Sequence, residues 1–306
     1  MKIKIGLVLL IILQIILPSV AQNEVEIDGL TVEEALEFLL FDEEELAQFY
    51  LALEVMLREL VAEQDGKIGI SYYCLTTGHQ IAINGDALFN SASTIKLPTH
   101  MLVAEAVEAG KLSWFQRLIY DQSYWLGGSG MLKNRVYSGM QLTLYETLRY
   151  SITYSDNIAH RMLTRALIPD FVHGDGGLDN TQMVLTTAIF NRYLPESTPS
   201  GKMLLSPNQL TVIFRTLYQG RNDIAGYEII FDYMMNTSWQ DRFKTDLTSG
   251  YVAHTPGWNH PYSHDSGIFF TRHPYILVVM TEAMGAEIIS QIGDQVFNLH
   301  LHQKIE

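Results

Sequence analysis

A serine and a lysine stand three residues apart in FNSASTIKLPTH, residues 89–100, just ahead of the apolar positions Leu97, Met101 and Leu102. Two chemistries fit that spacing. Ser91, Ser93 and Thr94 can each cap the first turn of a helix. Alternatively, Ser93 is a nucleophile and Lys96 its base, because three residues at a helix start bring both side chains to one face. A serine hydroxyl attacks poorly near neutral pH unless a neighbouring base takes its proton. A lysine serves as that base only where burial or nearby positive charge disfavours its ammonium form. The helix N-terminus adds N–H groups and partial positive charge where an oxyanion would form. A lone S-x-x-K tetrad arises by chance in many chains, but a second candidate follows it. Ser155, Asp156 and Asn157 in ITYSDNIAHRML precede another helical run, again with a capping reading beside the chemical one.

These motifs need elements to hold them. The stretch KIGISYYCLTTGHQIAING, 67–85, alternates β-branched and aromatic residues with small or polar ones around TTGH, which predicts a β-hairpin. From Phe89 to about Tyr218 the pattern is helical, with segments at 102–107, 114–120, 142–152, 159–167 and 209–217 separated by breaks such as GGSG at 127–130. A helix around 227–235 then precedes three strand-like runs, GYVAH, SGIFFTR and YILVVMTEA, with a hairpin tip at His273 and Pro274 and a last helix over about 286–301. Upstream, residues 31–64 repeat apolar positions every three or four residues among many Glu, which predicts two amphipathic helices broken near Phe41 and Asp42, with Thr31 and Glu34 as a capping box. Strands at both ends and helices between predict an α/β fold: an antiparallel sheet flanked by terminal helices, with an all-helical lobe and a site at the seam.

The chain has 306 residues and a formal charge of −14, a balance that disfavours nucleic acid as a partner. Its first residues, MKIKIGLVLLIILQIILPSVA, combine Lys2 and Lys4, an apolar core and a small-residue end, which predicts a cleaved secretory signal over 1–21, with an uncleaved signal anchor as the alternative. The expected localisation is therefore secreted or periplasmic, with no integral membrane segment after cleavage. Cys74 is the only cysteine, so no internal disulfide forms, and its strand-like surroundings predict a buried, inert thiol. The ten histidines lack the H-E-x-x-H spacing of a zinc site, and His260, His264 and Asp265 in HPYSHD read as a loop before a strand rather than a metal cluster.

S-x-x-K followed by S-D-N is a pairing characteristic of one superfamily. From about Asp42 to the C-terminus the chain resembles the class A β-lactamases and their relatives among penicillin-binding proteins and serine hydrolases. The resemblance includes Phe89 and Ala92 before the serine, the GSG segment leading to LTLYETLRYSITYSDN, QDRF at 240–243, and VAH..GW followed by SHDSGIFF and YILVVMT. After the signal over 1–21 and an acidic helical extension over 22–41, both read from their own patterns, it implies a catalytic domain over 42–306. Within that domain, 42–86 and 241–306 form the α/β part and 87–240 the helical lobe. It also implies roles: Ser93 attacks a carbonyl, Lys96 takes its proton directly or through water, Ser155 passes a proton toward the leaving nitrogen, and Asn157 bonds Lys96 and the substrate amide. The backbone N–H groups of Ser93 and Trp258 would form the oxyanion hole. No metal or other cofactor is implied, and the partner is a small β-lactam, peptide or ester substrate.

Two departures bear on function. Where the family carries K-T-G, this chain has Thr255, Pro256 and Gly257 in the ungapped alignment; a second register places His254 at the lysine position and treats Pro256 as an insertion. Either way a permanent positive charge is missing, and carboxylate-bearing lactams lose a partner. The family also holds a water-activating glutamate in an E-x-x-L-N loop. Counting back from Ser206 and Pro207, that region is AIFNRYLPE, where Phe190, Asn191 and Arg192 replace the acid and Glu196 is the nearby carboxylate, with a solvated loop residue as its plain reading. The expectation is an exported serine hydrolase working through an acyl-Ser93 intermediate. Its rivals are a penicillin-binding, DD-peptidase-like or esterase-like enzyme with slow deacylation, and a non-catalytic binding module of the same fold.

Overall fold

The computed structural model describes residues 26–27, 30–31, 43–168, 177–199 and 203–302. The chain divides into two compact units, 1–54 with 303–306, and 55–302. In the first, Glu26–Ile27 and Leu30–Thr31 form a short antiparallel pair. Helix α1 (Glu43–Ala62) begins in this unit and ends in the second. The helix expected before Phe41 and the leader over 1–21 lie outside the described residues. No described helix is long and apolar enough to cross a membrane.

The second unit is built on five antiparallel strands, β1 (Lys67–Cys74), β2 (Gln80–Ile83), β3 (Val252–Asn259), β4 (Tyr262–Phe269) and β5 (Tyr275–Glu282), in the order β2-β1-β5-β4-β3. The sheet joins strands from both ends of the chain, as the alternating 67–85 stretch and the strand-like C-terminal runs predicted. Its register puts Gly69, Met280, His264 and Gly257 in one row across four strands, all on the same face. That row underlies the first motif. A Cβ at Gly69 would lie 2.9 Å from the Phe89 ring, and one at Gly257 would lie 3.2 Å from the Ser91 carbonyl and 3.0 Å from Thr94. Only hydrogen side chains at the two ends of the row let the 89–94 segment lie this close to the sheet.

The same face receives α6 (Pro207–Gln219) and α7 (Ala225–Met235), and α2 (Lys96–Glu108), α3 (Leu144–Thr153), α4 (Asn157–Leu167) and α5 (Gly177–Tyr193) complete the helical lobe around them. Leu210, Ile213, Phe214 and Leu217 of α6 pack with Ile276, Val278 and Met280 of β5 in one core, each such side chain contributing about 2 kcal/mol on burial. On the opposite face α8 (Glu287–His302) stacks His300 on Tyr275, 4.1 Å between ring centroids, and packs Phe297 against Phe269. Cys74 is buried there, as expected of an inert thiol.

Three segments differ from their sequence reading. Residues 114–120 are not helical: Arg117–Ile119 is a strand paired with Gln141–Thr143. Thr143 and Glu146 form a capping box that fixes the start of α3, so 141–143 remains extended, and Leu118 faces Leu142 across the pair. AIFNRY at 188–193 is the end of a helix rather than loop, because Leu185, Ile189 and Tyr193 recur every fourth residue and are buried in the core. Finally, His264 and Asp265 lie within β4, not in a loop preceding it.

Candidate active site

Ser93 sits in a 3-10 turn, Ala92–Ile95, that runs directly into α2 at Lys96. Residues i and i+3 eclipse in a three-residue turn, so Ser93 and Lys96 stand one above the other. Neither Ser91 nor Ile95, the residues that open the two turns, makes a side-chain cap. The Asn90 side chain instead accepts from the Ala92 N–H at 3.0 Å, and Ala92 takes a left-handed φ of 46°. An alanine there costs about 1 kcal/mol, strain of the kind folds retain around functional groups. The Ser93 side chain is partly exposed, and among the described residues it makes no hydrogen bond.

The sheet fixes this turn from below. His264 lies 2.7 Å through Nε2 from the Asn90 carbonyl and 3.0 Å through Nδ1 from the Thr281 N–H. A carbonyl only accepts and an amide N–H only donates, so the ring is the neutral Nε2–H tautomer with both nitrogens satisfied. Burial lowers its pKa to about 4 despite the bond to Asn90.

Lys96 is 5% exposed and meets the second motif. Its Nζ donates to the Ser155 carbonyl at 2.6 Å, the Asn157 Oδ1 at 2.7 Å and the Ser155 Oγ at 3.2 Å. Burial lowers its pKa from 10.5 to about 7, against the opposing pull of Asp156. The three residues of the S-D-N triplet divide the work. Asp156 is the cap of α4, accepting from Ile158 and Ala159 through Oδ1 and from Leu132 through Oδ2. Ser155 adopts a left-handed φ of 48°, and with Asn157 it faces the amine. Asn157 Nδ2 donates to the Gly127 carbonyl, and the Asn157 N–H to that of Ser129. The GGSG break thus wraps the triplet. Gly130 has φ 120°, and a Cβ there would fall 2.2 Å from the Asp156 carboxylate, so only glycine fits.

β3 supplies the remaining candidates. Thr255 and Gly257 share the face that meets the Ala92–Ile95 turn. His254 is on the other face, fully buried, with Nδ1 2.7 Å from Asp265 Oδ2, which also accepts the Phe243 N–H. The structure therefore does not bring His254 to the Lys96 cluster, and the ungapped register is the one whose threonine faces the turn. Pro256 lies in an edge strand, where proline is tolerated because its missing N–H would have pointed outward. Donor direction repeats every second residue, so the N–H of Trp258 also points outward, and the residue is 57% exposed.

Glu196 is not brought to the cluster either; it is exposed in the turn after α5. Phe190 is buried in the core, and Arg192 is bound to Glu105 of α2 at 2.9 Å. Tyr193 and Tyr227 also donate to Glu105, at 3.0 and 2.7 Å, which ties the end of α5 to α2 and α7. Sequence reasoning passed over His100 and His160, which lie close behind Lys96; their only sequence signal was a histidine one turn beyond each motif.

A model of the β-lactamase enzyme family, Beta-lactamase2, matches residues 52–300. The β-lactamase VEB-1 of Pseudomonas aeruginosa is 21% identical over 283 residues, covering 82% of this chain and 91% of that protein. Among solved structures, a mutant of PBP-A described as an acyl-enzyme complex with penicillin-G superposes with a TM-score of 0.69 at 24% identity, over 81% of this chain and 96% of that one. An ancestral class A β-lactamase, GNCA, gives a TM-score of 0.67 at 22% identity, over 80% and 99%. The family match spans most of the sequence, the folds agree, and the two motifs meet at one buried amine: the chain belongs to the β-lactamase enzyme family.

Proposed function

We propose that this protein is an exported serine hydrolase that forms an acyl-Ser93 intermediate on a β-lactam, amide or ester. The observation that carries this reading is the Lys96 amine, buried among acceptors of the S-D-N triplet with its pKa lowered to about 7. At neutral pH a substantial fraction is unprotonated, which is what a base needs. In this reading Lys96 Nζ takes the Ser93 hydroxyl proton as Oγ bonds to the carbonyl carbon. The N–H groups of Ser93 and Trp258 hold the oxyanion. The C–N or C–O bond then breaks, and the leaving group receives the proton from Lys96 through Ser155. The 3.2 Å contact between Nζ and Ser155 Oγ suits this relay, since a hydroxyl both donates and accepts. Asn157 orients Lys96 and binds the substrate amide, while Thr255 and Gly257 line the β3 side. Residues 1–21 serve as the export signal and 42–306 as the catalytic domain.

Deacylation is slow in this proposal, which makes the enzyme penicillin-binding in behaviour. The 188–196 segment favours it: Phe190 is buried, Arg192 is tied to Glu105, and Glu196 faces solvent. None of these side chains activates a water at Ser93. The test is incubation with a chromogenic cephalosporin, a reporter penicillin and an active ester, with the adduct located by mass spectrometry and Ser93→Ala as control. A persistent adduct on Ser93 is expected. Steady colour release without accumulation would reassign the protein as a fast β-lactamase. No adduct with any reagent from pH 5 to 9 would leave a non-catalytic binding module.

The missing cation on β3 gives a second expectation. Thr255→Lys places an ammonium beside the ligand, and a charge-assisted hydrogen bond in a partly dry site contributes about 1.5 to 3 kcal/mol. Acylation by a carboxylate-bearing penicillin should rise roughly tenfold or more, while acylation by a neutral ester stays unchanged. Equal effects on both reagents would sink the assignment of Thr255 to the carboxylate position.

A further inference from the structure

His100 lies one turn beyond Lys96 on α2, and His160 one turn beyond Asn157 on α4. The two helices therefore meet in two successive rungs. In the first, Lys96 donates to Asn157 at 2.7 Å. In the second, the two imidazoles meet edge to face, 6.1 Å between centroids and 87° between planes. Further along, the same helices contribute Val103, Ala104 and Leu163 to the apolar core. The imidazoles thus lie between the polar cluster and the apolar part of the two helices, His100 buried and His160 partly exposed. His100 Nε2 lies 2.8 Å from Ser151 Oγ of α3, which holds the ring in place. His160 Nδ1 is buried and has no hydrogen-bond partner among the described residues. An unpaired buried ring nitrogen is unfavourable, so its retention calls for a reason outside packing.

Neither ring takes part in the acyl-transfer scheme above. Burial holds both neutral: His160 is lowered to about 3, and His100 falls well below its ordinary value. Lys96 acts on each ring in the same direction, Arg161 acts on His160, and His160 acts on His100; Asp156 is the acid that acts on Lys96. Two neutral rings add no charge beside the amine. Each ring stands one helical turn from the amine's cluster, and His160 is itself partly exposed.

We propose that His100 and His160 are positioning residues for Lys96: the paired rings shield one side of the amine from water and so set the pH range over which Lys96 is unprotonated. The inference rests on the reading of Lys96 as a base, but its test does not require turnover. In the full-length mature protein with 13C-labelled lysine, the Lys96 ε-CH2 resonance is assigned by its loss in Lys96→Arg and titrated by NMR. The wild-type midpoint is expected near 7. His160→Ser admits water and should raise the midpoint by at least about one pH unit, since hydration favours the charged amine. His160→Phe keeps a dry ring and should leave the midpoint within about 0.3 of the wild-type pH. His100→Asn removes the ring on α2 and repeats the first arm should His160→Ser fail to fold.

A wild-type midpoint at the ordinary lysine value overturns the proposal. So does a midpoint unmoved in the folded His160→Ser or His100→Asn variant, or one moved as far by His160→Phe as by His160→Ser. Where acyl-Ser93 forms, the acid limb of its pH–rate profile should move with the NMR midpoint. The rate at neutral pH should then fall about fivefold for the first pH unit by which that midpoint rises and about tenfold for each further unit. Absence of any acyl adduct alongside the expected titration would remove the enzymatic reading and leave this one standing.

Discussion

Lys96→Met is expected to slow formation of the acyl-Ser93 adduct by about 10³-fold, within the 10²- to 10⁴-fold that a positioned base contributes. Methionine keeps the length and apolar stem of lysine and removes the proton acceptor. Lys96→Arg is the sharper control: it retains donors for the Ser155 carbonyl and for Asn157 Oδ1, but a guanidinium does not give up its proton in proteins. Both variants should lose the same activity. If Lys96→Arg acylated at more than a tenth of the wild-type rate while folded, the amine would be a structural tie and not a base. The wild-type profile supplies a second reading of the same claim. With the amine lowered to about 7, the rate should fall tenfold for each pH unit below that value and level off above it.

The second large effect is on stability. His100, His160, His264 and His300 are all lowered by burial, three of them to between about 3 and 4. In the unfolded chain each titrates near 6.5. Between the two values the unfolded state binds more protons, so stability is complete above about pH 6.5 and is lost as pH falls toward the folded pKa values. Each fully unmatched proton contributes about 1.4 kcal/mol per pH unit, and four together set a ceiling of about 5.5 kcal/mol per pH unit. Lys96 has the same sign in an alkaline window, from 10.5 down to about 7. Melting temperature should therefore fall by about 10 °C or more from pH 7.5 to pH 5. A melting temperature flat across that range would mean these rings are protonated in the fold.

Much of this architecture was legible because its signals are local. Alternation in KIGISYYC and the apolar run YILVVMTE identified strands that lie side by side in the sheet, and Ser206 with Pro207 marked a helix start. The two motifs were visible as short words, but only the family resemblance, and no local pattern, implied that Lys96 would reach a triplet about sixty residues away. Long-range contacts account for the rest. Residues 114–120 have enough apolar positions to pass for a helix, and the pairing of Leu118 with Leu142 decides otherwise. His264 looked like a loop histidine until Asn90 and Thr281 took its two nitrogens from distant segments. His254 stood beside Thr255 in the chain, yet strand alternation turns it to the far face and to Asp265. The end of α5 carried no cue to the Glu105 clamp, since Glu105 and Arg192 lie on separate helices.

The proline in the outermost strand also governs which molecules that border can greet. An unpaired strand ordinarily presents a regular series of donors and acceptors, and an extended peptide can zip onto it. Here Pro256 deletes a donor from the series, and the neighbouring Trp258 spreads a broad exposed aromatic surface beside the gap. Recruitment of a stray chain by β-augmentation is discouraged at that point. Compact guests, held by one carbonyl rather than by a run of backbone bonds, suffer no such handicap.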